Sequence, residues 1–143
     1  MSDVSRFDAA DRAVLAALAD VLIPRSAGHL SASDAGVAAI GLDRVLESRP
    51  DLAAGLATLL ATARDRDAAG FVAELRARDP GGFAILAEVV PGAYFLNDEV
   101  RARVGWAGST AKPIDPHPDW LDDGLLDRVL ARGRIYRPTP HPR

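Results

Sequence analysis

The amino-acid sequence predicts an all-α fold: a single compact domain of five to seven short helices with an extended, proline-rich C-terminal arm. Hydrophobic residues make up 48% of the 143-residue chain, which suffices for the core of one domain. Alanine is abundant and β-branched residues are few, a composition that favours helices over strands. Apolar residues also recur at helical spacing as far as residue 104, whereas the stretch that follows has no such period.

Three segments follow from this pattern. We expect residues 1–104 to form the helical domain, residues 105–119 the extended arm, and residues 120–143 a last helix with an Arg- and Pro-rich tail of the same domain. Prolines exclude a helix from the arm, and a stretch of this length without secondary structure is usually a binding or linking segment. The last helix is predicted from the spacing of Leu121, Leu125, Leu126, Val129 and Leu130.

The first helix is predicted to begin at Asp8, whose side chain can cap it. Asp11, three residues later, forms a variant of the capping box. Pro24 ends the helix, because proline cannot donate to the helical ladder and moves Ile23 out of the α region. The inward face of this helix is predicted to comprise Val14, Leu15, Leu18, Val21 and Leu22.

A polar elbow, residues 25–32, separates the first helix from the second. We expect Ser33 to cap the second helix, which would cover residues 34–47 with an aspartate in its first turn. Gly36 and Gly41 weaken this helix and indicate a close approach to another one. Its apolar contacts are predicted to be Val37, Ile40, Val45 and Leu46.

Four more helices are predicted before the arm. Ser48 is expected to cap the third, which starts at about Pro50. The fourth is short, and the fifth covers residues 80–96, where Pro91-Gly92 should kink or interrupt it. Asn97 is expected to cap a short sixth helix. The core faces of the third, fourth and fifth helices comprise Leu52, Leu56, Leu59, Leu60, Ala63, Phe71, Val72, Leu75, Phe83, Leu86, Val89 and Val90.

Two stretches of the chain resemble one known family. Residues 15–46 follow the pattern L-x-x-x-A-D-x-x-[IL]-P, then a loop, then D-A-G-V at the start of a helix. Residues 93–113 follow the aromatic-rich pattern Y-Y-x-x-x-x-V-x-x-x-x-G-[YW]-x-G. Both are similar to the small-subunit family typified by gluconate 2-dehydrogenase subunit 3. The matching residues are Leu15, Ala19, Asp20, Ile23, Pro24, Asp34, Ala35, Gly36 and Val37, then Tyr94, Phe95, Val100, Gly105, Trp106 and Gly108.

The resemblance implies a non-catalytic small subunit that binds and stabilises a large FAD-dependent dehydrogenase of the glucose–methanol–choline (GMC) type, acting on a sugar or polyol. The large subunit would hold the FAD, so no cofactor is expected in this chain. Exposed Trp, Tyr and Arg side chains are typical anchors of protein interfaces. We therefore expect the partner to contact Trp106, Pro113, Pro116, His117, Trp120, Arg134, Tyr136 and Arg137. We expect a structural role in the elbow for Asp20, Pro24, Asp34 and Gly36.

The sequence lacks the residue patterns of common catalytic and metal sites. There is no cysteine, which excludes disulfides, thiolate catalysis and Cys-ligated metals. There is also no His-Glu-x-x-His, no nucleophilic serine elbow and no glycine-rich nucleotide loop. The cluster Asp115-Pro-His117-Pro-Asp119 has metal-ligand residue types, but alternating prolines hold it extended and splay the side chains apart. We expect no catalytic, metal or cofactor site.

Two alternatives remain at this stage. The chain can instead be a small helical ligand-binding or hydrolytic domain, with His29 of the elbow paired with Asp20 or Asp34 for acid–base work. It can also be a scaffold protein for an unrelated partner. We prefer a local structural role for Asp20, which is expected to hold the elbow by accepting backbone N–H bonds.

Charge and hydropathy bear on the partners and the location. The formal net charge is −3, which argues against general nucleic-acid binding. No apolar run approaches the roughly 20 residues of a membrane span. Acidic residues near the N-terminus are unlike a signal peptide. The expected location is therefore cytoplasmic, or periplasmic only if a partner carries the chain across the membrane.

Overall fold

A computed structural model of the chain describes residues 7–106, 108 and 123–135. The chain divides into two compact units, Met1–Gly108 and Ser109–Arg143. In the first unit lie α1 (Ala9–Leu22), a π-helical turn (Val37–Gly41), α2 (Leu42–Ser48), α3 (Leu52–Ala63), α4 (Ala68–Arg78), α5 (Pro80–Phe95) and α6 (Asp98–Arg103). The second unit contains α7 (Asp127–Arg132). The described residues hold these seven α-helices and no strand beyond one bridge between Ser26 and His29, so the all-α prediction is confirmed.

Helix α5 is the centre of the first unit. It packs against α1, the π-turn, α2, α3, α4 and α6. The core is one apolar cluster, and its largest fully buried side chains are Leu15, Leu18, Leu42, Leu56, Leu60, Leu86, Val37, Val89, Val90 and Val100. The stripe predicted for α3 is buried throughout, and so are the apolar contacts predicted for α4.

Helix α1 begins as its sequence predicts. The Asp11 N–H donates to Asp8 Oδ1 over 2.8 Å, and the Asp8 N–H donates to Asp11 Oδ2 over 3.3 Å, which completes the capping box. Leu15 and Leu18 are fully buried, but Val21 is 38% exposed. The predicted inward position of Val21 is wrong because it lies about 100° around the helix from Leu22, at the edge of the apolar stripe.

The predicted second helix is wrong over its first half. Residues 32–36 form turns, and α2 begins only at Leu42. Gly36 is left-handed with φ +72°, and Ala39 inside the π-turn is not helical. Ser33 does not cap a helix, because its N–H and hydroxyl both donate to Asp20. Ile40 is consequently 68% exposed rather than in the core.

Three further predictions concern the caps of α3 and α6 and the proline inside α5. Ser48 is the last residue of α2, so α3 begins at Leu52 without a side-chain cap. Helix α5 is not interrupted at Pro91, since the buried Val90 and Ala93 hold it against the core on both sides. The predicted cap of α6 is confirmed, because Asn97 Oδ1 accepts from two backbone N–H groups of the first turn.

The described part of the second unit is short. The predicted last helix is confirmed only from Asp127 onward, since Leu125 and Leu126 of its predicted stripe precede α7, and α7 has no buried residue. Leu125, Val129 and Leu130 are 72%, 56% and 69% exposed. The predicted arm lies almost wholly outside the described residues, which include only Gly105, Trp106 and Gly108 of it. None of the helices in the described ranges combines the length and the apolar character that crossing a bilayer requires.

Candidate functional site

The elbow between α1 and the π-turn is held by backbone and side-chain hydrogen bonds. Ile23, the residue before Pro24, has φ −129° and ψ 77°, as the proline requires. Its N–H still donates to Ala19 O over 2.8 Å, and its carbonyl accepts from the Ala32 N–H over 3.0 Å. The chain therefore leaves α1 at Pro24, and Ala32, nine residues after Ile23, returns to the end of α1.

Asp20 ties the far side of the elbow to α1. Its Oδ1 accepts from the Ser33 N–H over 2.8 Å, and its Oδ2 accepts from the Ser33 hydroxyl over 2.7 Å. The carboxylate thus binds one backbone and one side-chain donor of the same residue. Asp20 accepts a backbone N–H bond, as expected, and the donor is Ser33. The Ser33 hydroxyl, predicted to cap the second helix, donates to Asp20 instead.

Asp34 closes a second local turn. Its Oδ2 accepts from the Ser31 hydroxyl over 2.8 Å and from the Ser31 N–H over 3.1 Å, and it pairs with Arg25 over 2.5 Å. The Ser31 hydrogen bonds are the largest cause of a lowered Asp34 pKa, and the Arg25 charge adds to it. Ser31 is itself only 8% exposed, so the turn fixes a buried hydroxyl.

Two glycines allow the chain to continue from the elbow into α2. Gly36 has φ +72°, which favours glycine because a Cβ is strained there. A Cβ on Gly41 would lie 3.0 Å from Ala93 Cβ and 3.0 Å from Gly36 O. The predicted close helix approach is therefore confirmed at Gly41, where the π-turn meets α5, and is wrong at Gly36, where a Cβ would meet nothing within 4 Å.

The two stretches that carry the family resemblance meet in space. The Tyr94 hydroxyl donates to Leu30 O over 2.7 Å, and Asn97 Nδ2 donates to Ala35 O over 3.0 Å. Arg103 Nη1 donates to Gly28 O over 3.0 Å. These contacts join residues that are 62 to 75 positions apart. The end of α5 and α6 thus hold the elbow through its backbone carbonyls.

Trp106 lies on the surface just after α6. Trp106 is 48% exposed, and its backbone N–H donates to Arg101 O over 2.9 Å. The Arg101 guanidinium lies 4.9 Å from the centre of the indole ring. Val104, two residues earlier, is also 48% exposed. An indole presented in this way, with one face stacked on a cation, is suited to contact with another protein.

Most of the other predicted interface residues lie in parts of the chain that the structure does not describe. Pro113, Pro116, His117, Trp120, Tyr136 and Arg137 lie outside the described residues. Arg134 is described and exposed, and it belongs to the second unit. Their role in an interface stays a prediction.

The alternative site at His29 is not assembled in the described part of the chain. The His29 side chain is exposed, and neither Asp20 nor Asp34 bonds to it, because these carboxylates bind Ser33 and Ser31. Residues 7–106, 108 and 123–135 contain no group of three or more His, Asp or Glu side chains placed to hold a metal ion. The elbow is therefore a structural unit whose carboxylates already have partners.

The sequence did not predict the cavity between α3, α4 and α5. Its signals in the sequence were the glycines Gly55 and Gly82 on otherwise well-formed helices. A glycine in a helix interior costs about 1 kcal/mol relative to alanine and often marks a place where another group approaches closely.

Asp20 and Ser33 are expected to be energetically coupled. Asp20→Ala should lower the free energy of unfolding by about 1–2 kcal/mol, because two donors lose their acceptor. In a double-mutant cycle with Ser33→Ala, urea unfolding should give a coupling energy of at least about 0.5 kcal/mol. Ser48→Ala is the matched control, since its hydroxyl bonds only the Arg44 carbonyl within α2. Additive effects of the two elbow substitutions would contradict this description.

The Asp34 turn predicts a pH dependence of stability. Because the Asp34 pKa is lowered in the folded state, its contribution is fully present above the unfolded pKa of about 3.9 and is lost as the pH falls through the lower folded value. Wild type should therefore be more stable than Asp34→Asn at neutral pH, and the difference should shrink below about pH 4. Urea unfolding over this pH range measures it. A difference that is constant with pH would contradict the assignment.

With this geometry in place, comparison with known proteins adds no identification: no protein-family model, no curated protein and no solved structure matches the chain.

Proposed function

We propose that this chain is a non-catalytic small subunit that binds and stabilises a large FAD-dependent dehydrogenase of the GMC type. The partner holds the flavin and oxidises a sugar or polyol hydroxyl. This chain contributes a rigid helical body and an exposed contact surface. The proposal rests on the resemblance of residues 15–46 and 93–113 to the family of gluconate 2-dehydrogenase subunit 3.

One structural observation supports treating those two stretches as a single functional element. They are separated by about 50 residues in the sequence, yet Tyr94 and Asn97 of the second stretch hold the elbow of the first through Leu30 O and Ala35 O. Chance similarity in two separate stretches gives no reason for them to be in contact. Contact between the two stretches is what a single structural unit requires.

The position of Trp106 supports a binding role for the second stretch. Trp106 lies directly after α6, and Arg103 of α6 donates to the elbow at Gly28 O. This hydrogen bond holds the backbone that leads into Trp106. Its ring is stacked by Arg101 and remains about half exposed. A large aromatic side chain that is held in one orientation before binding loses little conformational entropy in an interface.

Affinity purification from the native cells tests the proposal. The tagged chain should co-purify with a large flavoprotein that mass spectrometry identifies as a GMC-type dehydrogenase, and the eluate should release flavin on denaturation. The matched control is the same chain with Trp106→Ala, which should recover less of that flavoprotein at equal bait. Recovery of no flavoprotein, or of equal amounts with the variant, would contradict the proposed role.

A further inference from the structure

Helices α3, α4 and α5 line a half-open cavity of about 430 Å³ in the first unit, within the usual size range of small-molecule sites. Its apolar part is formed by Leu59, Phe71, Leu75 and Ile85, and its polar part by Thr58, Thr62, Arg66, Glu74, Arg78 and Asp79. None of its lining residues belongs to the elbow, and Trp106 is not among them.

Two glycines line the cavity where its helices come closest. A Cβ on Gly55 of α3 would lie 2.6 Å from Ile85 Cδ1 of α5. A Cβ on Gly82 would overlap the carboxylate of Asp79, the cap of its own helix, and would lie 3.0 Å from Leu75 Cδ1 of α4. The missing side chains therefore allow α5 to approach both neighbours. Larger residues at either position would displace the side chains that form the apolar wall.

The charged side chains of the cavity are connected through Glu74. Arg66 Nη2 lies 2.5 Å from Glu74 Oε2, and Arg78 Nη1 lies 3.6 Å from Glu74 Oε1. The Arg66 guanidinium also lies 4.7 Å from the centre of the Phe71 ring, which orients it. The Arg66 hydrogen bond is the largest cause of a lowered Glu74 pKa, so this carboxylate stays ionised between the two cations.

The two guanidinium groups are the main source of remaining donors in the cavity, because the Thr58 and Thr62 hydroxyls donate to the Ala54 and Thr58 carbonyls. Asp79 Oδ1 accepts from the Gly82 N–H over 2.9 Å as the cap of α5, where the helix dipole offsets its charge. Glu74 already faces two guanidinium groups. Each guanidinium has five N–H donors, more than the single carboxylate between them can use. A ligand that supplies acceptor oxygens fits this excess.

We infer that this cavity binds a small organic carboxylate with an apolar body. Its carboxylate accepts hydrogen bonds from Arg66 and Arg78, and its body packs against Leu59, Phe71 and Ile85. Planar guanidinium groups match carboxylate geometry, which gives the site its preference for this group.

Titration with cinnamate, followed by amide NMR spectra of the isotopically labelled full chain, tests the inference. Cinnamate should give saturable shifts at Gly55, Thr58 and Gly82 that fit one site. Cinnamamide has the same shape but no charge, and should bind at least about tenfold more weakly, as expected when charge-assisted hydrogen bonds are lost. Absence of saturable shifts at these residues, or equal binding of the two compounds, would overturn the inference.

Variants identify the residues that bind the carboxylate. Arg66→Gln and Arg78→Gln should each weaken cinnamate binding by about tenfold. Arg76→Gln is the matched control, because Arg76 lies on α4, as Arg78 does, but does not line the cavity. Equal loss of binding in the control and in the two variants would overturn the assignment. The comparison of cinnamate with cinnamamide on wild type remains decisive if a variant fails to fold.

Discussion

Replacing Leu60 with alanine is expected to lower the free energy of unfolding by about 2–5 kcal/mol. Leu60 is fully buried in α3, which packs on α1 and on the central helix α5. The substitution removes apolar surface from the core and leaves a cavity that the surrounding helices fill only in part. Since a domain of this kind is stable by about 5–15 kcal/mol, the loss is a large fraction of the total.

Urea unfolding followed by circular dichroism measures this effect. Leu130→Ala is the matched control, because it makes the same chemical change at a side chain that is 69% exposed. The control should change the free energy of unfolding by less than about 0.5 kcal/mol. Similar losses in the two variants would mean that α3 does not pack in the core as described.

Replacing Trp106 with alanine is expected to weaken binding to the proposed flavoprotein by about 30-fold or more, the loss typical of a tryptophan at the centre of an interface. The isolated chain should be little affected. It loses a half-exposed ring and its stacking on Arg101, worth about 0.5–1 kcal/mol. Loss of affinity without loss of stability separates a binding role from a folding role.

Affinity measured by surface-immobilised titration, with unfolding measured on the same samples, checks this prediction. Ile40→Ala is the matched control, since Ile40 is 68% exposed and lies in the π-turn, outside the predicted interface. Its affinity should stay within about twofold of wild type, as for exposed side chains outside an interface. Unchanged binding by the Trp106 variant, or equal loss in both variants, would remove Trp106 from the interface.

Local signals predicted much of the fold. The Asp8 and Asn97 caps and the buried stripe of α3 depend on residues within one or two turns of each other, so the sequence contains the whole interaction. The second helix was mispredicted because Ser33, a good cap by local rules, donates instead to Asp20, 13 residues earlier. Val37 and Ile40 are at helical spacing, but the left-handed Gly36 precedes them and the non-helical Ala39 lies between them, so no regular helix forms there.

The candidate site was predictable only in part for the same reason. The elbow residues were found from proline, glycine and aspartate chemistry, which acts locally. Their support by Tyr94, Asn97 and Arg103 comes from more than 60 positions away, and no local pattern indicates it. The cavity between α3, α4 and α5 depends on how three helices pack. The sequence shows Gly55 and Gly82, but not that they line a cavity.

The proposed role makes the large flavoprotein depend on this chain. The most direct measurement is to co-express the candidate GMC-type dehydrogenase with and without it, and to compare soluble yield, bound FAD per polypeptide and sugar or polyol oxidation. We expect the dehydrogenase to be soluble, flavin-loaded and active only when this chain is present. A dehydrogenase that is equally soluble, loaded and active on its own would contradict the proposal.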